Sequence, residues 1–159
     1  MRVLGVDFGR KRIGLALSDE TATLASPWRV IQAGGTPTLS AVNVAGVLTP
    51  DRENADKIGE IVVGLPRRLN GEDNEQTQPA REFAAVLAER TGLTVTLQDE
   101  RLSSHEAESR LAVREKDWRR RKARLDAAAA AVILQDFLDG RASRMKPSLA
   151  DHDSESSDT

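Results

Sequence analysis

Acidic side chains lie at the ends of apolar segments in three separate parts of the sequence: at Asp7, at Asp99 and Glu100, and at Asp126. Asp7 closes the apolar run that begins at Val3, and strand alternation places both side chains on the same face. An ionised carboxylate on a buried face costs several kcal/mol unless another group compensates its charge. We therefore predict that a divalent cation, shared with the later acids, compensates Asp7. The alternative is an aspartate that only forms a turn at a strand end.

Asp126 also admits two interpretations. It directly precedes an alanine-rich helical segment, where an aspartate is a preferred N-cap. On a helix, however, it shares one face with the small and apolar residues Ala129, Ala130, Ile133 and Phe137. A carboxylate on that core-facing stripe points toward the sheet and needs a partner there.

Asp99 and Glu100 follow the β-branched segment 94–98, and ligand sites in α/β sheets lie at the carboxyl ends of parallel strands. The sequence leaves open which of the two acids points inward. Carboxylate oxygens, in a chain with no cysteine and only two histidines, suit Mg²⁺ or Mn²⁺ rather than zinc. Two such ions, roughly 3.5–4 Å apart, can hold both the attacking and the leaving oxygen of a phosphodiester displacement. Neither histidine is a predicted ligand, since His105 lies in a helix capping box and His152 in the polar tail.

Positive charge is concentrated just before Asp126. The segment 110–124 contains eight Lys or Arg residues and two acids, a net charge of +6, whereas the whole chain has a net charge of −2. Such a run is often only a solvated surface, but this one is almost entirely of one sign and contains Trp118, an aromatic able to stack on a base. We predict that it contacts the phosphate backbone and positions a nucleic acid without reading its sequence. The predicted contacts in this run are Arg119, Arg120, Arg121 and Lys122.

The overall composition favours one soluble domain. A chain of 159 residues is long enough for a single hydrophobic core. No segment has the roughly 20 apolar residues of a membrane span, and the sequence enters a strand without the layout of a signal peptide. Both observations favour a cytoplasmic protein that does not bind membranes. We predict a folded domain over residues 1–141 and an acidic, disordered tail over residues 142–159.

Alternating strand and helix patterns indicate an α/β fold. Two apolar runs joined by a loop that contains Gly9 predict an opening hairpin. Further strands then alternate with helical segments, which predicts a mixed sheet with helices on both faces. The further predicted strands are 25–31, 60–64 and 94–98, and the predicted helices are 38–48, one starting at 49–51, one ending at Arg90 before Gly92, one starting at 103–106, and 125–139 closed by Gly140.

Taken together, these segments resemble the YqgF family, also called RuvX, of ribonuclease-H-like proteins, which are described as pre-16S rRNA nucleases and as Holliday-junction-resolvase-like. The resemblance extends from Met1 to about Gly140 and implies a five-stranded sheet in the order 3-2-1-4-5 with helices on both faces. One departure is Pro50, which interrupts the segment 34–57 where the family has a single helix. The motifs that carry the resemblance are GVDFG at 5–9 with KRIG at 11–14, VVGLP at 62–66 with NG at 70–71, DERLS at 99–103, and LD at 125–126 with the following alanines and Ile133-Leu134.

The resemblance also implies a set of site residues. It selects Glu100 over Asp99 as the second acid. The implied catalytic and metal-binding residues are Asp7, Glu100 and Asp126. Together with the basic run, the predicted nucleic-acid contacts are Lys11, Arg12 and Arg101.

The resulting hypothesis is hydrolysis of RNA phosphodiesters with Mg²⁺ or Mn²⁺, at the 5′ end of pre-16S rRNA during ribosome biogenesis, with the ribosome or its precursors as partners. One alternative is a nuclease for branched DNA such as a Holliday junction, which needs two active sites and hence a dimer. Another is a non-catalytic module that binds RNA or the ribosome. Sugar kinases and actin-like ATPases open with a similar Asp-x-Gly hairpin, but they need a second domain for which 159 residues leave no room. The sequence leaves both a monomer and a homodimer open.

Overall fold

A computed structural model of the chain describes residues 1–48, 58–100 and 118–145. These residues form one five-stranded sheet in the order β3-β2-β1-β4-β5, which confirms the predicted order. The strands are β1 (Arg2–Phe8), β2 (Arg12–Ser18), β3 (Ala25–Gln32), β4 (Ile58–Leu65) and β5 (Thr94–Asp99). The helices are α1 (Pro37–Leu48), α2 (Thr77–Thr91) and α3 (Trp118–Met145).

The central strand β1 joins two kinds of pairing. It runs antiparallel to β2, with Asp7 opposite Gly14, and parallel to β4, with Val6 opposite Val63. Strand β5 adds in parallel to β4, so β1, β4 and β5 end at the same edge of the sheet. This edge is the place where a parallel sheet presents ligand-binding side chains.

One face of the sheet packs on α1 and α2. Its core consists of large apolar side chains that are completely buried, among them Leu4, Ile13, Phe83 and Leu87. At the end of β1, the ring of Phe8 stacks on Phe83 with centroids 4.5 Å apart. This contact anchors the strand directly beside Asp7.

The opposite face packs on α3 alone. Here the buried residues are smaller on the sheet side, and Ala16 and Val62 contact Ala130 and Ile133 of the helix. Gln135 fixes α3 to the edge of the sheet, because its side-chain amide accepts a hydrogen bond from the Ala25 backbone N–H at 2.9 Å and donates one to the Thr23 carbonyl at 2.9 Å. The predicted placement of helices on both faces is therefore confirmed.

Helix α3 is longer than the sequence predicts. The prediction of a helix over 125–139 that ends at Gly140 is wrong, since α3 begins at Trp118 and continues to Met145. The helix passes through Gly140 because the next residue has strong tertiary contacts: the Arg141 guanidinium lies 2.6 Å from both Glu60 carboxylate oxygens and 4.5 Å from the Phe137 ring centroid. Such contacts override the low helix propensity of one glycine.

Other predicted elements divide into those that are confirmed and those outside the described residues. The helix predicted at 38–48 is α1, and α2 ends before Gly92, which adopts the left-handed conformation (φ 70°) expected of a helix C-cap. The helix starts predicted at 49–51 and 103–106 lie outside the described residues, as does the tail after Met145. The proposed division of the chain at residue 141 stays a prediction.

Helix α3 has 28 residues, yet neither it nor another described helix has an apolar stretch that could cross a bilayer.

Candidate active site

Asp7 and Glu100 meet at the common end of β1, β4 and β5. Asp7 lies on the α3 face of β1, as strand alternation predicts from Val3. Glu100 is the first residue after β5, and its backbone N–H donates a 3.2 Å hydrogen bond to the Leu65 carbonyl at the end of β4. That bond fixes the point at which the chain leaves the sheet, and it directs Glu100 toward Asp7.

The two carboxyl groups share a hydrogen bond, which requires a proton on at least one of them. The pKa of Asp7 is raised to about 6, chiefly by burial; the hydrogen bond with Glu100 opposes this shift, and the charge of Asp126 contributes to it. Burial, together with the charge of Asp7, raises the pKa of Glu100 to about 9. Two half-buried carboxyl groups whose pKa values are both raised offer a position where a cation can replace a proton.

Gly64 makes room for the Glu100 side chain. A Cβ atom at this position of β4 would overlap Glu100 Oε2 and would lie 2.7 Å from the Ile133 side chain. Glu100 Oε2 is itself buried, and it has no hydrogen-bond partner among the described residues. A buried carboxylate oxygen without a donor is an unusual and costly arrangement, and a bound cation would satisfy it.

Asp126 reaches the same region from α3. It lies inside the helix, eight residues after its first residue, so the N-cap interpretation is wrong. The helix approaches β2 very closely at this point, because a Cβ at Gly14 would overlap the Asp126 carbonyl oxygen. The Asp126 side chain accepts a hydrogen bond from Arg12, with 2.8 Å between Nε and Oδ2. The predicted need for a partner on the sheet is therefore met, in this structure, by an arginine.

The described residues contain no group of three or more His, Cys, Asp or Glu side chains arranged to hold a metal ion. Asp7 and Glu100 contact each other, whereas Asp126 is engaged by Arg12. The donor set still fits a hard divalent cation, since all three side chains offer oxygen, one Glu100 oxygen is buried without a donor, and burial opposes the charged forms of Asp7 and Glu100. The assignment of these three acids as metal ligands stays a prediction.

The other predicted site residues are placed less completely. Lys11 is exposed in the β1–β2 turn, and Arg12 begins β2. Asp99 ends β5 opposite Leu65, and its charge contributes to the raised pKa of Glu100. The basic residues Arg119, Arg120, Arg121 and Lys122 lie in the first turns of α3, where the structure describes the backbone only, and Arg101, His105 and His152 lie outside the described residues.

Sequence reasoning missed two features of this region. The first is the role of Gly14 and Gly64, although glycine within an otherwise apolar strand is a known signal of a close backbone approach. The second is the Arg12–Asp126 pair, whose members are 114 residues apart in the sequence. The sequence pattern contains no signal that could have joined them.

Comparison with known proteins assigns the family. Residues 1–140 match the model of a family described as "RuvX: Holliday junction resolvase". A "Putative pre-16S rRNA nuclease" of Anaeromyxobacter sp. (strain Fw109-5) is 46% identical over 89% of this chain and 98% of its own, and one of Maridesulfovibrio salexigens is 41% identical over 87% and 98%. Among solved structures, Thermus thermophilus RuvC in complex with a Holliday junction has the same fold, with a TM-score of 0.51, 14% identity, and coverage of 89% of this chain and 95% of RuvC. The chain belongs to the RuvX family, as the sequence motifs indicate.

Proposed function

We propose that this protein is a metal-dependent nuclease that hydrolyses RNA phosphodiesters and acts on pre-16S rRNA. The observation that carries the proposal is the meeting of Asp7 and Glu100, 93 positions apart in the sequence, as a half-buried carboxyl pair with raised pKa values, an arrangement that a cation would stabilise. Asp126 is a third acid, close enough for its charge to raise the pKa of Asp7. The names of relatives that are 40–46% identical support the RNA substrate.

Each polar residue has a distinct task in this proposal. Asp7, Glu100 and Asp126 would hold one or two divalent cations, Mg²⁺ or Mn²⁺. When bound, such an ion supplies Lewis-acid stabilisation of the charge that develops on the phosphate. The packing of α3 against the sheet holds the main chain of these acids close together. Lys11 and Arg12 on the β1–β2 hairpin, with Arg101 and the basic first turns of α3, would neutralise backbone phosphates.

The substrate and partners follow from the relatives rather than from the geometry. Processing of pre-16S rRNA would take place in the cytoplasm, with ribosome precursors as partners. A second candidate, cleavage of branched DNA, is favoured by the printed description of the family model. Junction cleavage requires two active sites at once and therefore a dimer, whereas the RNA reaction can be carried out by a monomer.

The experiment compares wild-type protein with Asp7→Asn on a pre-16S rRNA fragment and on a four-way DNA junction, with Mg²⁺ or Mn²⁺. We expect metal-dependent RNA cleavage by wild type and a loss of about 10³-fold in Asp7→Asn, since a misplaced cation forfeits several kcal/mol of transition-state stabilisation. Glu89→Gln, which removes an exposed acid of α2, is the matched control and should cleave normally. Equal cleavage by wild type and Asp7→Asn would refute the proposed site, and cleavage of the junction alone would replace RNA with DNA as substrate.

A further inference from the structure

Arg12 and Asp126 form a partly exposed ion pair. The Arg12 Nε atom lies 2.8 Å from Asp126 Oδ2, and the side chains of both residues are 26% exposed. Each is therefore partly inside the site and partly open to solvent. A hydrogen bond between charged groups in this setting is shorter and stronger than one between neutral groups.

The bond uses only part of what each side chain offers. A guanidinium has five N–H donors, of which Nε–H is one, and the two terminal nitrogens carry the other four. A carboxylate has two oxygens, of which the bond to Arg12 occupies Oδ2. Arg12 can thus donate a hydrogen bond to Asp126 from Nε and bind a phosphate with its terminal nitrogens at the same time. Asp126 can accept the hydrogen bond from Arg12 at Oδ2 and still offer Oδ1 to a cation.

From this geometry we propose that Arg12 is a positioning residue that orients Asp126 for the cation and couples cation binding to nucleic-acid binding. The inference rests on the proposed function, because it assumes that the three acids bind a divalent ion. Carboxylates that ligate metals are themselves commonly held by an outer hydrogen bond, and loss of that bond weakens metal binding. The coupling arises because a phosphate on the terminal nitrogens stiffens Arg12, and a stiff Arg12 fixes Asp126.

Packing of the backbone explains why an outer partner is needed. The Asp126 carbonyl lies against Gly14, so the position of the main chain is fixed, but the side chain still has two rotatable bonds. The direction of the carboxylate is then set by its hydrogen bonds. Arg12 is the first residue of β2 and lies two residues before Gly14, so both face α3. The Arg12 side chain can therefore reach the Asp126 carboxylate from the sheet.

The opposite role for Arg12 makes the opposite prediction. If Arg12 were a competitor that blocks Asp126, its removal would free the carboxylate and tighten cation binding. If it orients Asp126, its removal weakens cation binding. The sign of the change in Mn²⁺ affinity therefore decides between the two roles without any measurement of cleavage.

The test measures Mn²⁺ affinity by electron paramagnetic resonance for wild type, Arg12→Gln and Arg12→Lys, without nucleic acid. We expect Arg12→Gln to bind Mn²⁺ about 10-fold more weakly or worse, as for other losses of an outer hydrogen bond to a metal ligand. Arg12→Lys keeps the charge but lacks the planar fork, so we expect it to recover affinity only in part. Arg10→Gln is the matched control, since Arg10 lies in the β1–β2 turn two residues before Arg12, is exposed and pairs with Glu75 at 3.4 Å.

A second readout measures the coupling. The affinity for a short fluorescent RNA is measured by anisotropy with and without Ca²⁺ at constant ionic strength. If RNA binding raises the affinity for the cation, linkage requires the cation to raise the affinity for RNA by the same factor. We expect Ca²⁺ to tighten RNA binding by wild type and Arg10→Gln but not by Arg12→Gln or Arg12→Lys. Thermal unfolding of each variant shows whether the fold is intact.

Unchanged or tighter Mn²⁺ binding by folded Arg12→Gln would overturn the inference. Asp7→Asn, measured in the same Mn²⁺ assay, separates this failure from failure of the proposed function. If Asp7→Asn binds Mn²⁺ as wild type does, the proposed metal site is wrong. If Asp7→Asn loses Mn²⁺ binding and Arg12→Gln does not, only the role of Arg12 is wrong.

Discussion

On the face covered by α1 and α2, the sheet presents large side chains such as Leu4 and Ile13, and packing there depends on filled volume. On the face covered by α3, Gly5 and Gly14 let the helix approach so closely that a Cβ atom at either position would press on a main-chain carbonyl oxygen of α3, and Gly64 leaves room for the Glu100 and Ile133 side chains. On the first face, a substitution that removes side-chain atoms should lower stability without displacing the helices. On the second face, an added side-chain atom at Gly14 would displace α3. The polar residues of the site lie on the second face, where small residues allow the backbone to set their positions.

The largest expected effect on stability belongs to the α1/α2 face. Leu87→Ala in α2 removes a completely buried side chain and should lower the free energy of unfolding by about 2–5 kcal/mol, since it leaves a cavity. Because Leu87 lies on the face opposite to Asp7 and Asp126, cleavage by the folded variant at low temperature should stay close to wild type. Chemical denaturation and single-turnover cleavage check the two halves of this prediction. A large loss of cleavage in the folded variant would mean that the two faces do not act separately.

On the α3 face, a substitution should have a smaller effect on stability and a larger effect on metal binding and cleavage. Gly14→Ala adds one methyl group against the Asp126 carbonyl, and such overpacking should cost about 1–3 kcal/mol of stability. Although the loss of stability is smaller than for Leu87→Ala, the displacement of Asp126 should reduce Mn²⁺ affinity and cleavage at least about 10-fold, as other disturbances around metal ligands do. Chemical denaturation measures the change in stability, and Mn²⁺ titration of the same sample measures the change in affinity. Normal Mn²⁺ binding by Gly14→Ala would contradict the idea that backbone proximity positions Asp126.

The acids themselves make the α3 face sensitive to pH. Burial raises the pKa of Glu100 from 4.5 to about 9 in the folded protein, so the native state binds more protons than the unfolded state between these values. Stability without metal should therefore fall as the pH rises through this window. Relative to Glu100→Gln, the wild-type protein should lose at least about 1.4 kcal/mol, the equivalent of one pKa unit. Thermal unfolding in EDTA from pH 5 to pH 9 measures the difference, and parallel pH profiles for the two proteins would rule out the shift.

The smallest effect is expected at Gly46, where there is open space for a Cβ atom. Gly46 lies in α1, and a Cβ there would meet no atom within 4 Å. Gly46→Ala should raise stability by roughly 0.5–1 kcal/mol, because alanine has the higher helix propensity. It is the matched control for Gly14→Ala, and its Mn²⁺ affinity should equal that of wild type. Destabilisation by Gly46→Ala would show that glycine substitution is harmful for reasons other than close packing.

Local patterns were sufficient to predict most of the fold. The alternation around Asp7, the β-branched run before Asp99 and the C-cap at Gly92 each depend on neighbouring residues, and the structure confirms all three elements. The ends of α3 were not predictable in the same way. Its extension past Gly140 depends on Arg141, whose partner Glu60 is 81 residues away in the sequence.

The candidate site could be predicted only in part, for a similar reason. Residue types and strand ends pointed to Asp7 and to the end of β5, and the family motif selected Glu100. The pairing of Asp126 with Arg12 depends on how closely α3 approaches β2, and that distance is set by Gly14 in combination with the whole α3 interface. The N-cap preference of aspartate was also misleading for Asp126, since the helix begins eight residues before it, at Trp118.

Helix α3 covers the first strands of the sheet, although it follows all of them in the sequence. Its contacts through Gln135 and Asp126 close loops of 110 and 114 residues, and contacts of such long range form late and slowly during folding. A nascent chain therefore exposes the glycine-rich face of its opening hairpin until α3 has been synthesised. The site proposed above is therefore incomplete until synthesis has passed residue 126.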